Sequence, residues 1–165
     1  MSQIRLRNGR QFDFSCPEST PLSIDDIAWG LSREFRYSNQ SEVCLSVAEH
    51  SVLGSRLPFV PNEFRLGILL HDASEAVMRD IASPLKDLLP DYRMMEYRLQ
   101  SSIYQSFGIA APPLELIHQV DDVMREHEMS YVFDSVRPYE PWGQSESYRK
   151  FLEAFEQVKA RFIAA

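Results

Sequence analysis

The stretch FRLGILLHDASEAVM, residues 64–78, combines an apolar helical stripe with side chains capable of chemistry. At about 100° per residue, one side of a predicted helix over 62–78 collects only apolar residues. This stripe consists of Leu66, Leu69, Leu70, Ala73 and Val77. His71, Asp72 and Glu75 fall on the opposite side, which also carries two apolar residues. Because a helix that is apolar nearly all round is usually buried, we expect these polar side chains in the interior.

A buried carboxylate needs a compensating partner, because transferring its charge out of water is costly. A divalent metal would compensate Asp72 and Glu75, since imidazole and carboxylate groups are both ordinary ligands of first-row metals. His71 and Glu75 lie one helical turn apart in the predicted helix and can share a site. A buried histidine–carboxylate network without a metal, or a merely exposed face, accounts for the same pattern.

Two further helical segments place a candidate ligand beside an apolar stripe. In SVAEHSVLGSRL, residues 46–57, His50 lies among apolar residues as either a core side chain or a ligand. In LIHQVDDVMREHEM, residues 116–129, Asp121 borders the apolar stripe and Asp122 points further outward. Helical geometry therefore favours Asp121 as the inward carboxylate, although either residue can be a solvated helix acid. Two other histidines are fallback ligands that we expect to be structural or exposed: His118 and His127.

The composition favours one domain over 1–165, because 165 residues with 44% hydrophobic content can bury one substantial core. The formal net charge of -7 argues against non-specific binding to a nucleic-acid polymer or an anionic membrane. A phosphate-bearing ligand would therefore need a local cation. Cys16 and Cys44 are too few for a disulfide framework, and no apolar run reaches signal-peptide or membrane-span length, so a soluble, cytoplasmic protein is expected.

The remaining patterns predict an all-α fold, a helical bundle with a small N-terminal β-hairpin. Alternating apolar residues on either side of Asn8-Gly9 predict the hairpin. Ser23 with Asp26 resembles a capping box and predicts the start of the first helix. Later helices are predicted over 43–57, 62–78, 92–107 and 114–132, with a loop over 138–143. A last helix carries an apolar stripe that we assign to the core rather than to an interface: Phe151, Leu152, Phe155, Val158 and Phe162.

The order of three motifs, SVAEHS, LLHDASE and QVDDVM, resembles the H…HD…D signature of the HD superfamily of metal-dependent phosphohydrolases. The flanking segments NGRQFDF, IDDIAWGLS, SPLK and LLPDYR extend the resemblance to about Trp142. Together they make the chain similar to the short, single-domain HD phosphohydrolases related to bacterial 5′-deoxynucleotidases. The resemblance implies a single HD-domain helical bundle.

The resemblance also implies the composition of the site. One divalent transition metal, such as Co, Mn or Zn, would be bound by His50, His71, Asp72 and Asp121. Asp72 would therefore be a ligand and part of the catalytic machinery, and Glu75 would position or activate the attacking water. This chemistry is coherent, because the metal lowers the pKa of water while a nearby carboxylate accepts its proton.

Relatives use an arginine followed by an aromatic residue to contact phosphate and sugar, and this pair matches Arg36-Tyr37. Asp80 occupies the place of an acid that contacts the deoxyribose. Lys86 is a further candidate phosphate contact, with a solvated lysine as the alternative.

Two segments depart from the pattern of the relatives. Short relatives often read RF-x-G-H-T after the arginine, whereas this chain has Asn39 in place of the glycine and Gln40 in place of the histidine. Met78 and Arg79 stand where relatives commonly carry a Leu-Gly type pair. Arg79 is expected either to meet a longer polyphosphate or to face solvent.

The function expected from this resemblance is hydrolysis of a (deoxy)nucleotide phosphoester, with a 5′-deoxynucleoside monophosphate as the substrate. The alternative is a deoxynucleoside triphosphate triphosphohydrolase of the type found for dATP in phages. A non-catalytic nucleotide-binding HD module belongs to a different class, but none of the metal or water residues is lost here. Two-metal HD enzymes are disfavoured, because they need additional histidines between the HD pair and the last aspartate, where only His118 lies. Relatives self-associate, so a homo-oligomer is expected.

Overall fold

A short antiparallel hairpin opens the structure, a computed structural model that describes residues 2–133 and 140–163. Strand β1 (Gln3–Arg5) pairs with β2 (Gln11–Asp13), and Ile4 lies opposite Phe12. Gly9 has a φ of 86°, a left-handed conformation that glycine adopts without steric cost. Its backbone N–H donates to the carbonyl of Leu6 at 3.0 Å, which closes the turn. The predicted hairpin is confirmed.

Within the described residues, the rest of the chain is mostly helical, as predicted. It forms eight α-helices: α1 (Ile24–Leu31), α2 (Val47–Ser55), α3 (Arg65–Leu69), α4 (Glu75–Met78), α5 (Ser83–Lys86), α6 (Pro90–Ser106), α7 (Leu114–Val132) and α8 (Gln144–Ile163). Among these residues, no helix is both long and apolar enough to cross a membrane. Part of the predicted loop over 138–143 and the side chain of Phe162 lie outside the described residues.

Side-chain caps determine where the first two helices begin. The hydroxyl of Ser23 accepts from the backbone N–H of Asp26, whose carboxylate accepts from the backbone N–H of Ser23. This reciprocal arrangement is the predicted capping box of α1. Ser46 caps α2 by accepting from the backbone N–H of Glu49 at 3.1 Å. Helix α2 therefore begins at Val47 rather than at the predicted position 43, because the cap fixes its first turn.

The predicted continuous helix over 62–78 is wrong, because the chain turns between α3 and α4. In a continuous α-helix the carbonyl of Ile68 would accept from the backbone N–H of Asp72. Instead, this carbonyl lies 2.6 Å from Nδ1 of His71 and 3.3 Å from the backbone nitrogen of the same residue. The following residues form tighter bonds to the third residue back, such as Glu75 N–H to the carbonyl of Asp72 at 3.0 Å. His71 and Asp72 consequently lie in a turn and not on a helix face.

Helix α8 packs against α1, α2 and α3 and completes the main core. Phe151, Ala154 and Phe155 are buried in one cluster with residues of these three helices, including Ile27 and Leu69. The assignment of the α8 stripe to the core is therefore confirmed for Phe151 and Phe155. This packing brings α8, near the end of the sequence, against helices from its first half.

The contact between α1 and α4 leaves no room for a side chain at Gly30. A Cβ atom placed there would lie 2.3 Å from the carbonyl oxygen and 2.6 Å from Cα of Ala76, both backbone atoms. We expect Gly30→Ala to lower the free energy of unfolding by about 1–3 kcal/mol, because α1 and α4 must move apart. Urea titration followed by circular dichroism would measure this change.

Gly143→Ala is the matched control for this substitution. A Cβ atom at Gly143 would meet no heavy atom within 4 Å. A loss of stability in Gly143→Ala as large as that in Gly30→Ala would contradict the steric explanation.

Candidate metal centre and its cavity

Four of the predicted site residues meet at one point, although they come from three separate parts of the fold. His50 comes from α2, Asp121 from α7, and His71 and Asp72 from the turn between α3 and α4. Oδ1 of Asp121 lies 3.3 Å from Nε2 of His50 and 3.2 Å from Nε2 of His71. Oδ2 of Asp72 lies 3.8 Å and 3.3 Å from the same two nitrogens. Donors bound to one metal at about 2.0–2.2 Å are about 3–3.5 Å apart, so this arrangement matches a ligand set.

Both histidines are held so that Nε2 is available to a metal. Nδ1 of His71 lies 2.6 Å from the carbonyl oxygen of Ile68, and Nδ1 of His50 lies 2.7 Å from Oε1 of Glu128. A carbonyl and a carboxylate only accept hydrogen bonds, so each Nδ1 carries the proton. Metal-ligating histidines are usually oriented in this way by a second hydrogen bond. Donor atoms of His50, His71 and Asp72 all lie within 4.8 Å of one another and can hold a metal ion.

The charges around the two histidines favour a cation at this point. Burial lowers the pKa of His71, but the carboxylates of Asp72 and Asp121 outweigh burial and raise the pKa to about 10. Burial raises the pKa of Asp121, but hydrogen bonds from His50 and His71 shift it well below its ordinary value. The cluster therefore carries more negative than positive charge unless a proton or a metal ion is added.

Glu75 lies in the wall of the adjacent cavity and not in the ligand cluster. Its Oε1 accepts a hydrogen bond from Nζ of Lys86 at 3.1 Å, and its Oε2 is buried with no hydrogen-bond partner among the described residues. Burial, followed by the charges of Asp72 and Asp80, raises the pKa of Glu75 well above its ordinary value, and Lys86 opposes this shift. Nζ of Lys86 also donates to Glu96 at 2.6 Å, so the alternative of a solvated lysine is wrong.

All four predicted substrate-binding residues line one cavity of about 580 Å³ beside the candidate metal ligands. These are Arg36, Tyr37, Asp80 and Lys86. Asp72, Glu75 and Asp121 also line it, and so does Arg125, a cation that the sequence did not point to. Pockets of this size accommodate small organic ligands.

Glu128 is a functional candidate that sequence reasoning missed. Its carboxylate is fully buried, and its Oε2 accepts from Nε of Arg36 at 3.0 Å and from the hydroxyl of Tyr37 at 2.7 Å. The available signal was its position seven residues after Asp121, two helical turns further along the same face of α7. A buried glutamate on that face requires partners, and these are two predicted substrate contacts together with His50.

The other acids and histidines of α7 lie away from the cluster. Asp122 is exposed and pairs with Arg125 at 3.2 Å. Asp121 is thus the inward carboxylate, as the helical geometry indicated. The fallback ligands His118 and His127 are exposed side chains on α7.

The two segments that depart from the relatives adopt unusual backbone conformations. Tyr37, Ser38 and Asn39 have φ angles of 60°, 51° and 57°, a left-handed turn formed without glycine. Arg79 has a φ of 79° and a ψ of 152°, a region populated almost entirely by glycine. Its guanidinium is largely exposed, in agreement with the alternative that Arg79 faces solvent, and it lies 3.0 Å from the carboxylate of Glu34. The same carboxylate accepts from the backbone N–H of Asp80.

Comparison with known proteins finds relatives without an assigned activity. No protein-family model matches the sequence. The uncharacterized protein YfdR of Escherichia coli K12 is 40% identical over 114 residues, which covers 69% of this chain and 62% of YfdR. An uncharacterized protein of Rhodobacter capsulatus is 35% identical over 115 residues, which covers 65% of this chain and 59% of that relative. The chain spans about three fifths of the length of the curated relatives it matches.

The backbone at Arg79 provides a test of local strain. We expect Arg79→Gly to be more stable than Arg79→Ala by about 1 kcal/mol, because both lose the ion pair with Glu34 but only glycine adopts this conformation freely. Thermal and urea unfolding of both variants would measure the difference. At a position with an ordinary backbone conformation, the alanine variant is the more stable of the two. A higher stability of Arg79→Ala than of Arg79→Gly would therefore contradict the proposed backbone strain.

The charge of the metal cluster predicts how metal binding depends on pH. With a pKa of about 10, His71 is protonated near neutral pH in the metal-free protein and must lose its proton to bind a metal. Binding of Mn²⁺ should therefore release protons, and its affinity should rise with pH up to about 10. Calorimetry in buffers of different ionisation enthalpy would count the protons. The control His118→Gln changes an exposed histidine of α7 and should leave the number of released protons unchanged. Release of no protons by the unaltered protein would contradict the assignment of a positive charge to His71.

Proposed function

We propose that this chain is a metal-dependent phosphohydrolase of the HD type that hydrolyses the phosphoester of a 5′-deoxynucleoside monophosphate. The observation that carries the proposal is the convergence of His50, His71, Asp72 and Asp121, with contacts of 3.2–3.8 Å, beside a cavity of about 580 Å³. The order of these residues in the sequence resembles the HD signature, and their geometry suits a single ion.

The same four residues would hold the metal ion. Two imidazole nitrogens and two carboxylate oxygens suit a divalent transition metal such as Co, Mn or Zn. The hydrogen bonds at Nδ1 of His50 and His71 support this fit, because they leave both Nε2 atoms free to coordinate. When bound, such an ion offsets phosphate charge and lowers the pKa of a water molecule.

Glu75 is the candidate acceptor for the proton of the attacking water. Its Oε1 is held by Lys86, and its buried Oε2 lacks a hydrogen-bond partner among the described residues. A buried acceptor without a donor costs free energy, so a water molecule beside Oε2 would be stabilised. Burial, followed by the charge of Asp72, raises the pKa of Glu75, and a raised pKa makes a carboxylate a stronger proton acceptor.

Arg36 and Tyr37 are the candidate contacts to the phosphate and sugar. Glu128 engages Nε of Arg36, and Arg36 lines the cavity, where the terminal nitrogens of its guanidinium would donate to phosphate oxygens. Lys86 pairs with Glu75 and Glu96, so its charge mainly compensates these carboxylates. Asp80 lies in the cavity wall, where it would accept from a sugar hydroxyl.

Arg125 favours a second candidate substrate, a deoxynucleoside triphosphate cleaved to release triphosphate. Its side chain is 59% exposed, lines the cavity and follows Asp121 by about one helical turn. A further cation in the cavity, in addition to Arg36 and Lys86, would offset the additional charge of a polyphosphate. A non-catalytic nucleotide-binding module is the remaining alternative. The single domain over 1–165, self-association and a cytoplasmic location stay predictions.

Hydrolysis assays on the purified protein would test the proposed function. With Mn²⁺, Co²⁺ or Zn²⁺, dAMP should release inorganic phosphate, whereas inorganic triphosphate from dATP would establish the second candidate. Asp121→Asn and Glu75→Gln should each lower kcat/KM by about 10²-fold or more, because one loses a metal ligand and the other the proton acceptor.

Asp122→Asn is the matched control, since Asp122 is exposed beside Asp121, and it should keep the activity towards dAMP. Nucleotide binding without turnover under all three metals would reject both hydrolase candidates in favour of a binding module.

A further inference from the structure

Glu128 contacts the metal cluster with one carboxylate oxygen and the predicted substrate contacts with the other. Oε1 lies 2.7 Å from Nδ1 of His50. Oε2 accepts from Nε of Arg36 at 3.0 Å and from the hydroxyl of Tyr37 at 2.7 Å. These donors precede Glu128 by 78 to 92 residues, so tertiary structure alone brings them to one carboxylate.

The cost of burying this carboxylate is offset at the same place. The side chain of Glu128 is fully buried, and an isolated buried carboxylate would be strongly destabilising. Three hydrogen bonds and the charge of Arg36 compensate it. An ionised carboxylate accepts from all three donors at once.

Each oxygen determines a separate property of the site. The contact at Oε1 keeps the proton of His50 on Nδ1 and leaves Nε2 facing Asp72 and Asp121. The contacts at Oε2 hold Arg36 and Tyr37 in the cavity wall, where the left-handed turn begins. The orientation of the metal ligand and that of the substrate contacts therefore depend on the same carboxylate.

We propose that Glu128 is a positioning residue that orients the metal ligand His50 and the substrate contacts Arg36 and Tyr37 together, so that both parts of the site form as one unit. This inference rests on the proposed function, because it assigns Arg36 and Tyr37 to phosphate and His50 to a metal. Glu128 lines neither the cavity nor the ligand cluster and acts only through its three partners.

Glu128→Gln tests this positioning role, because it changes the hydrogen bonding of the side chain but nearly keeps its shape. A carboxamide has one oxygen acceptor, and its nitrogen only donates. If the nitrogen faces His50, the ring must move its proton to Nε2 and lose the lone pair that would bind a metal. If the nitrogen faces Arg36 and Tyr37, both donors lose their acceptor. Rapid exchange between the two orientations would impair both functions.

We expect Glu128→Gln to weaken Mn²⁺ binding by about 10–100-fold, measured by calorimetry with the metal alone. At saturating Mn²⁺, KM for dAMP should remain raised, because extra metal does not restore the position of Arg36 and Tyr37. Nitrogen-15 NMR of the histidine side chains should show a changed tautomer for His50. Glu126→Gln, an exposed glutamate on the same helix, should change none of these quantities.

Two further variants separate the effect of Glu128 on metal binding from its effect on substrate binding. They also keep the proposal testable if Glu128→Gln fails to fold. Tyr37→Phe removes one donor to Oε2 and should raise KM while leaving Mn²⁺ affinity within about twofold. Glu128→Asp keeps the charge but shortens the side chain by one methylene, so it cannot reach all three donors. Unaltered Mn²⁺ affinity and KM in Glu128→Asp would overturn the proposal.

The outcomes also distinguish this inference from the proposed function. If the unaltered protein binds no Mn²⁺ and hydrolyses no nucleotide, the proposed function fails. If it binds Mn²⁺ and hydrolyses dAMP, and Glu128→Gln and Glu128→Asp both change the same single quantity, only the metal affinity or only KM, the shared positioning role is overturned and the hydrolase assignment stands.

Discussion

The compensation of buried negative charge is the constraint on which this structure depends. Asp121 and Glu128 of α7, with Asp72 from the turn, face His50 and His71 at distances of 2.7–3.8 Å. Arg36 compensates Glu128, but two neutral imidazoles cannot balance the carboxylates of Asp72 and Asp121, so a proton or a metal ion is needed where Nε2 of both rings converges. A bound metal ion would satisfy that requirement. The hydrogen bonds at Nδ1 of both histidines leave their Nε2 atoms free to coordinate it.

The interruption between α3 and α4 is as important as the donors themselves. Nδ1 of His71 lies within hydrogen-bond distance of the carbonyl of Ile68, the group that a continuing helix would offer to Asp72. One contact thus ends the helix, orients the His71 ring and places Asp72 beside it. A regular helix would project consecutive side chains about 100° apart, whereas the turn allows His71 and Asp72 to face the same point.

Sequence patterns predicted most of the elements but not the whole site. The hairpin, the capping box at Ser23 and helix α7 depend on local chemistry that is visible in a few adjacent residues. The break after Leu69 was missed because apolar periodicity does not report a side chain competing for a backbone carbonyl. Glu128 was missed because its partners lie far away in sequence, and a glutamate on a helix is most often solvated. Assignment of the ligands required the order of the motifs as well as helical geometry.

The contacts of Glu128 with Arg36 and His50 also limit when the site can form during synthesis. Glu128 follows these two residues by 92 and 78 positions, so their contacts cannot close until the chain has been synthesised as far as residue 128. Helix α2 and the turn at His71 emerge from the ribosome well before α7 supplies Asp121 and Glu128. The nascent chain therefore lacks the complete candidate metal site until α7 has docked.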